Sequence, residues 1–336
     1  MTAPIARATR GSRINSFCQR QAHTNKVDGV GGIAADETFD GTFPFRAHFT
    51  TRPGFRMHYV DEGAGEPIIL IHGEPTWAYL YRNFIPVLSR HFRVIAPDHM
   101  GFGKSETPAT ADYTLDRHAR NLGSLIEELD LRDITLVMQD WGGPMGAVVA
   151  SRYPDRMKRF VAMNTIFGTD RNVREERLTP WFAAIKAMEE AGQLEAVLGN
   201  LRFLVGGIMM TLGIQRREVV TDTWLQAYAA AFPTFEECRA AIAFPLEGLH
   251  LERIRETLVA ALPGLYKLGQ AGVPAMMIEG MRDRAIWPHV AIAGFRAFFP
   301  NGTVHELPNA GHFIQEDAPE TVVPLIEEFC LRTPTS

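Results

Sequence analysis

The sequence predicts an α/β protein, with a mostly parallel central sheet, helices on both faces and an inserted helical segment. Apolar runs of strand length alternate with helically spaced segments over residues 43–166 and again over 263–332. Between these two parts, residues 167–262 have helical spacing, with prolines as interruptions. A helical insertion of this kind is typical of a cap over the carboxyl ends of the strands, where open α/β sheets bind ligands.

The overall composition is typical of a soluble globular protein and does not suggest a nucleic-acid or membrane partner. The 336 residues are 46% hydrophobic and 22% charged, with a net charge of −5. This charge favours neither nucleic acid nor an anionic membrane as partner. No apolar run approaches the roughly 20 residues of a spanning helix, and we expect a cytoplasmic protein. Three widely separated cysteines predict neither a disulfide framework nor a metal site.

Residues 1–42 predict a disordered N-terminal tail. They are rich in Gly, Ser and Thr, and five basic residues precede the first acid, Asp28. No apolar segment of 7–15 residues is present, so this is not a secretory signal. A transit-like segment or an upstream start codon would give a similar composition. We expect the folded part to begin near Phe43.

The central motif is a buried strand at 134–138 followed by Gln139-Asp140-Trp141-Gly142-Gly143. The glycines permit a sharp turn from strand to helix, the turn at which α/β-hydrolases carry their nucleophile. Here the apex residue is Asp140 rather than Ser or Cys. A carboxylate attacks saturated carbon and forms an alkyl ester, so this nucleophile suits carbon–halogen bonds and epoxides.

Two further residues complete a predicted catalytic triad. The chain order in this fold is nucleophile, acid, histidine. His312 lies in a glycine-containing loop after the last strand and is the predicted base. Asp283, just after a strand end, is the predicted acid, with Glu279 as the fallback. Asn164 follows another strand, but it cannot carry the charge that stabilises an imidazolium ion.

The loop His72-Gly73-Glu74-Pro75-Thr76-Trp77 follows the second central strand. We expect the backbone N–H groups of Glu74 and Trp141 to stabilise the oxyanion that forms when water attacks the ester. The Glu74 side chain has two interpretations: it positions the hydrolytic water, or it is a buried acid paired with a neighbour.

These motifs together resemble those of the haloalkane dehalogenases. The resemblance also rests on the segments 94–98, 101–105, 280–283 and 310–313 and on the cap segments 227–233 and 244–245. It covers residues 43–329 and is closest to the subfamily with Glu in the first motif and the acid after the later strand. The chain departs from the family in its bulkier Met138 and its longer N-terminal tail.

The resemblance implies the α/β-hydrolase fold and a two-step reaction. Asp140 displaces halide from the haloalkane, and water activated by His312 then hydrolyses the alkyl-Asp140 ester. It implies a halogenated alkane, water and halide as partners, with no metal, no organic cofactor, and a monomer or weak homo-oligomer.

Two indole N–H groups are implied to hold the leaving halide. Trp141 takes the first place, and the second donor comes from the first cap helix. Thr179-Pro180-Trp181 has the pattern of a helix start, which favours Trp181, with Trp224 as the alternative. The wider substrate pocket is expected to include Pro144, Phe182, Trp224, Pro245, Ala285 and Ile286.

Two other functions remain as alternatives. An epoxide hydrolase of the same fold shares the triad but protonates the epoxide with cap tyrosines. Only Tyr228 and Tyr266 are available, and they do not form an evident pair. A non-catalytic receptor on this fold is disfavoured by the complete triad.

Overall fold

The computed structural model describes residues 32–166 and 177–333, and their eight strands form one sheet in the order β1-β2-β4-β3-β5-β6-β7-β8. The β1–β2 and β2–β4 pairs are antiparallel and the other pairs are parallel, which confirms the predicted mostly parallel sheet. The strands are β1 His48–Thr50, β2 Met57–Glu62, β3 Pro67–Ile71, β4 Arg93–Pro97, β5 Ile134–Gln139, β6 Met157–Met163, β7 Ala275–Gly280 and β8 Thr303–Leu307.

The helices of the two sheet-forming parts flank this sheet. Every residue of β3 and β5 is buried, as expected of strands that are covered on both faces. No helix among the described residues is long and apolar enough to cross a membrane. The helices before β6 are α1 Ile85–Leu88, α2 Leu115–Glu128 and α3 Gly142–Arg152.

Between β6 and β7, the described chain is helical and contains no strand. Its helices are α4 Pro180–Glu190, α5 Leu194–Leu198, α6 Leu201–Leu212, α7 Asp222–Ala229, α8 Arg239–Leu249 and α9 Glu252–Gln270. The remaining helices are α10 Pro288–Phe298, α11 Ile314–Asp317 and α12 Pro319–Arg332.

The helix α9 crosses the boundary that the sequence analysis places at 262/263. It packs against α2 and α3, and a Cβ added at Gly264 would come within 2.7 Å of Ser151. The helix therefore belongs with the sheet-forming part from its start. The structure ends the cap near residue 251, because Pro263 lies within the continuous helix and does not break it.

Residues 32–43, called the strap here, differ from the predicted disordered tail. Ile33 and Phe39 are buried, and the Lys104 ammonium group donates hydrogen bonds of 2.9 Å to the carbonyls of Ala35 and Glu37. Ile33 and Phe39 are separated by small and polar residues, so composition alone did not reveal that they are buried. Residues 1–31 lie outside the described residues.

The strap contacts both the sheet-forming part and the cap. Phe39 makes an edge contact with the Trp77 ring, at 5.8 Å between centroids. On the cap side, the Thr223 hydroxyl donates a 2.7 Å hydrogen bond to the Asp40 carboxylate. A Cβ on Gly32 would come within 2.4 Å of Pro233. The strap therefore contacts both α7 and the loop that carries Glu74.

Candidate active site

Asp140 lies at the apex of a tight turn between β5 and α3. Its φ of 52° falls in the left-handed region, which non-glycine residues rarely adopt. The turn leaves no room for side chains at the neighbouring glycines. A Cβ on Gly73 would come within 2.2 Å of Asp140 Oδ1, and one on Gly142 within 2.4 Å of the Ile71 carbonyl oxygen. Glycine at 73 lets the loop backbone lie close to the Asp140 carboxylate, and glycine at 142 lets the start of α3 lie close to the end of β3.

The bulky Met138 is accommodated by a glycine in the helix after the turn. A Cβ added at Gly146 would lie 2.3 Å from Met138 Sδ. The sulfur therefore occupies the space that a larger residue at 146 would fill.

The structure brings Asp140, His312 and Asp283 together. His312 Nδ1 lies 2.8 Å from Asp283 Oδ2, and its Nε2 lies 3.3 Å from Asp140 Oδ2. His312 and Asp283 are buried, whereas the Asp140 side chain keeps 14% of its surface exposed. Because an ionised carboxylate only accepts hydrogen bonds, the proton between His312 and Asp283 resides on Nδ1. The imidazole Nε2 is thus turned toward the predicted nucleophile.

Asp283 is held by backbone donors as well as by His312. Its Oδ1 accepts hydrogen bonds from the N–H groups of Ala285 and Ile286, at 2.7 and 2.9 Å. These two residues, predicted to line the substrate pocket, thus contact Asp283 through their backbone. The turn fixes the carboxylate so that Oδ2 faces the imidazole.

Asn164 contributes a contact that the sequence analysis did not assign. Its Nδ2 donates 2.9 Å to Asp283 Oδ2, and its Oδ1 accepts a 2.9 Å hydrogen bond from the Gly280 N–H. The strand end at β6 therefore carries no acid of its own and instead positions the acid supplied after β7. This contact could have been predicted if β6 and β7 had been recognised as parallel neighbours, because the carboxyl ends of parallel strands lie at one edge of the sheet.

The first motif supplies a donor to the Asp140 carboxylate. The Glu74 N–H donates a 2.8 Å hydrogen bond to Asp140 Oδ1. The Glu74 side chain is buried, and its Oε1 has no hydrogen-bond partner among the described residues. Burial and the Asp140 charge raise the pKa of Glu74 well above its usual range. A neutral Glu74 carboxyl therefore lies beside the nucleophile.

Two opposing effects set the charge of His312. Burial lowers its pKa, but the Asp283 and Asp140 carboxylates outweigh that effect and raise the pKa to about 10. Glu279 lies fully buried at the end of β7, where burial and Asp283 raise its pKa well above the usual range. The site thus favours a protonated His312 beside Asp140 and Asp283, and it favours the neutral forms of Glu74 and Glu279.

Comparison with known proteins agrees with this geometry. A family model for the alpha/beta hydrolase fold matches residues 66–202. A Mycobacterium bovis protein named haloalkane dehalogenase 2 is 34% identical over 286 residues, which cover 85% of this chain and 95% of the relative. The chain belongs to the haloalkane dehalogenase family.

Two other similar proteins differ from the Mycobacterium bovis relative, one in its named activity and one in being a solved structure. A Shewanella oneidensis protein named cis-3-alkyl-4-alkyloxetan-2-one decarboxylase is 32% identical over 310 residues, covering 88% of this chain and 92% of that protein. The solved tetrameric haloalkane dehalogenase DpaA from Paraglaciecola agarilytica NO2 has a TM-score of 0.70 and 28% identity. That match covers 88% of this chain and 95% of DpaA.

In this dehalogenase homologue, Trp141 lies close to the first cap helix. Its ring stacks on Phe244, with centroids 4.8 Å apart. A Cβ added at Gly248 would meet Phe182 at 2.6 Å and Trp141 at 3.3 Å, so both rings converge on this glycine. Phe182 therefore packs near Trp141.

Trp181 lies in the first turn of α4. The Thr179 hydroxyl accepts a hydrogen bond from the Phe182 N–H and Pro180 begins the helix, which confirms the predicted helix start. The backbone N–H of Trp181 donates a hydrogen bond to the carbonyl of Arg284, the residue after Asp283. Trp181 also lines a cavity of about 390 Å³ between α4, α5 and α6.

The other predicted pocket residues are more dispersed. Trp224 is buried in α7 beside Tyr228, 4.7 Å between ring centroids, and its indole nitrogen has no hydrogen-bond partner among the described residues. Pro245 is buried within α8, while Pro144 is partly exposed in the first turn of α3. The 390 Å³ cavity has neither Pro144, Trp224 nor Pro245 in its walls.

Proposed function

We propose that the protein is a haloalkane dehalogenase that hydrolyses carbon–halogen bonds to an alcohol and halide through an alkyl-Asp140 ester. The main support is the position of the Asp140 carboxylate in the nucleophile turn, where its Oδ2 lies 3.3 Å from His312 Nε2. His312 Nδ1 in turn lies 2.8 Å from the Asp283 carboxylate. A hydroxyl or thiol would attack an acyl carbon, whereas a carboxylate suits displacement at saturated carbon.

In the first step, an Asp140 oxygen attacks the carbon that bears the halogen, and the carbon–halogen bond breaks. The Glu74 N–H bonds Asp140 Oδ1 at 2.8 Å, which orients the carboxylate and leaves Oδ2 on the His312 side. Neutral N–H donors are suited to stabilise the charge of the departing halide.

In the second step, water attacks the Asp140 carboxyl carbon and His312 accepts the proton at Nε2. The Asp283 carboxylate stabilises the imidazolium ion that forms. The negative charge on the carboxyl oxygen develops where the Glu74 N–H already donates, and we assign the second donor of this oxyanion site to Trp141. The neutral Glu74 carboxyl is available to hold the attacking water, because its Oε1 lacks a hydrogen bond among the described residues.

We assign the halide donors to Trp141 and Trp181, the arrangement expected of the subfamily with Glu in the first motif. Support comes from the first turn of α4, where Trp181 neighbours Phe182 and Phe182 converges with Trp141 on Gly248. Trp224 is the competing donor, because its buried indole N–H lacks an acceptor among the described residues.

The structure disfavours an epoxide hydrolase. Tyr228 donates its hydroxyl proton to Glu316 at 2.7 Å, and burial and Glu316 raise its pKa well above the usual range. Tyr266 is 47% exposed and stacks on Phe298. Neither tyrosine is thus arranged to protonate an epoxide oxygen in the active site.

A substrate panel tests the proposed activity. Wild-type enzyme is incubated with 1,2-dibromoethane, 1-chlorobutane, styrene oxide and a cis-3,4-dialkyl-oxetan-2-one, while halide, diol and carbon dioxide are measured. The proposal predicts catalytic halide release that Asp140→Ala abolishes. Diol formation or carbon dioxide release without halide release would contradict it and would favour an epoxide hydrolase or the reaction named for the Shewanella relative.

A further inference from the structure

Gln139, the last residue of β5, contacts the catalytic histidine through its side chain. It is fully buried, and its Nε2 donates a 3.2 Å hydrogen bond to the His312 carbonyl. The same nitrogen lies 3.1 Å from the imidazole Nε2. The carbonyl fixes the orientation of the amide, because a flipped amide would place its oxygen against the carbonyl oxygen.

The imidazole Nε2 therefore faces two groups with opposite preferences. Asp140 Oδ2, at 3.3 Å, accepts hydrogen bonds and favours a proton on Nε2. The Gln139 amide, at 3.1 Å, donates and favours the unprotonated nitrogen. Nδ1 retains its proton toward Asp283 in both states, so the balance between these two groups decides whether His312 is a cation or a base.

This balance changes during the reaction. Alkylation turns the Asp140 carboxylate into a neutral ester and releases halide, while the imidazolium ion keeps its proton. His312 must then lose the Nε2 proton to solvent water before it can accept one from the hydrolytic water. After alkylation, the Asp140 carboxylate no longer stabilises the proton on Nε2, whereas the Gln139 amide still donates toward this nitrogen.

We propose that Gln139 is a positioning residue that converts His312 to the neutral base once Asp140 is esterified. Water then adds its oxygen to the Asp140 carboxyl carbon and gives a proton to Nε2. The bond between the Asp140 carboxyl carbon and the alkoxy oxygen then breaks, and the alkoxy group takes the second proton of that water and leaves as the alcohol. The imidazolium–carboxylate pair is thereby restored, and each turnover releases one proton and one halide.

Among the described residues, four carboxyl groups face His312. They are Asp140 after β5, Asp283 and Glu279 at the end of β7, and Glu74 after β3. Burial favours the neutral forms of Glu74 and Glu279, and the reaction forms no bond to Asp283. Asp140 is thus the carboxyl group whose charge the reaction changes.

The inference rests on the proposed function, but its first test needs no turnover. Asp140→Asn serves as a stand-in for the neutral ester, since Asn tolerates the left-handed backbone at this position. The pKa of His312 is measured by NMR in this variant, with and without Gln139→Met. Loss of the donor should raise the pKa by about one unit. An unchanged pKa would overturn the inference.

Gln315→Met is the matched control in the same background. Gln315 is also fully buried. It is not one of the described residues whose side chains contact the His312 ring nitrogens, which are Asp283, Gln139 and Asp140. This control should leave the His312 pKa unchanged. If it raised that pKa as much as Gln139→Met does, a general packing effect would replace the proposed role. Gln139→Leu takes the place of Gln139→Met if the methionine variant does not fold.

Kinetics in the otherwise wild-type enzyme give the second test. Single-turnover measurements separate the alkylation burst from ester hydrolysis. In Gln139→Met the acid limb of the hydrolysis rate should move upward by about one pH unit, while the alkylation rate changes less. A hydrolysis profile that keeps the wild-type pH dependence would contradict the proposal. Failure of the wild-type enzyme to release halide would instead contradict the proposed function and leave the NMR result intact.

Discussion

Asn164 Nδ2 and His312 Nδ1 both form hydrogen bonds with Asp283 Oδ2, at 2.9 and 2.8 Å. The oxygen thereby receives one donor from the end of β6 and one from the catalytic loop. This arrangement fixes the direction in which the carboxylate presents its charge to the imidazole, and it predicts a role for a residue that cannot itself ionise.

Asn164→Ala should slow ester hydrolysis by about 10-fold, because it removes a charge-assisted hydrogen bond worth ~1.5–3 kcal/mol. Alkylation by Asp140 should change less, since that step does not use His312 as a base. Single-turnover kinetics measure both rates. The control is Asn121→Ala, which removes another buried amide. Equal slowing of both steps would show that Asn164 acts on the fold rather than on the acid.

The raised pKa of His312 predicts a dependence of stability on pH. The folded-state pKa of about 10 lies above the ordinary value of 6.5, so the stabilisation is fully present below pH 6.5 and is lost as pH rises toward 10. The free energy of unfolding should fall by a few kcal/mol, to order of magnitude, across this window. Denaturant titrations at several pH values measure it. His312→Gln should flatten the curve, and a wild-type curve as flat as that of the variant would contradict the ion-pair assignment.

Deletion of the strap should destabilise the enzyme, in contrast to deletion of the residues before it. Residues 32–43 bury Ile33, Phe39 and Phe43 and accept two hydrogen bonds from Lys104, so their removal exposes apolar surface and leaves a buried ammonium group unpaired. The melting temperature should fall by several degrees in a variant lacking residues 1–43. A variant lacking only residues 1–31 serves as the control, for which we expect nearly unchanged kcat and melting temperature.

Bromide binding tests the assignment of the halide donors. Trp181→Phe keeps an aromatic ring and removes the N–H, so it should weaken bromide binding, read by fluorescence quenching, and slow halide release. Trp224→Phe is the matched variant and should leave bromide affinity close to wild type. The opposite pattern would transfer the donor role to Trp224, whose indole nitrogen is buried without a partner among the described residues.

The sequence was most informative where a local pattern determines the structure. The apolar run before Asp140 and the glycines after it predict a buried strand and a sharp turn, and both are present. The chain order of Asp140, Asp283 and His312 likewise predicted which side chains meet. These features follow from short-range rules of backbone conformation and from the order of strands in one fold.

Contacts between distant segments were not predictable in the same way. The hydrogen bonds of Gln139 to His312 join residues 173 positions apart, and composition gives no sign of them. The strap was missed because a few apolar residues suffice to dock it once a cap and a core provide a surface on both sides. The predicted end of the cap, at residue 262, falls inside the continuous helix α9, because helical spacing alone does not show which part of the fold a helix packs against.

The covalent ester on Asp140 is the central claim, and mass spectrometry of His312→Gln tests it most directly. This variant keeps the nucleophile and lacks the base, so one equivalent of haloalkane should release about one halide per enzyme and leave an alkyl adduct on the Asp140 peptide. Asp140→Ala should give neither the burst nor the adduct. Sustained turnover by His312→Gln, or an adduct on another residue, would contradict the account.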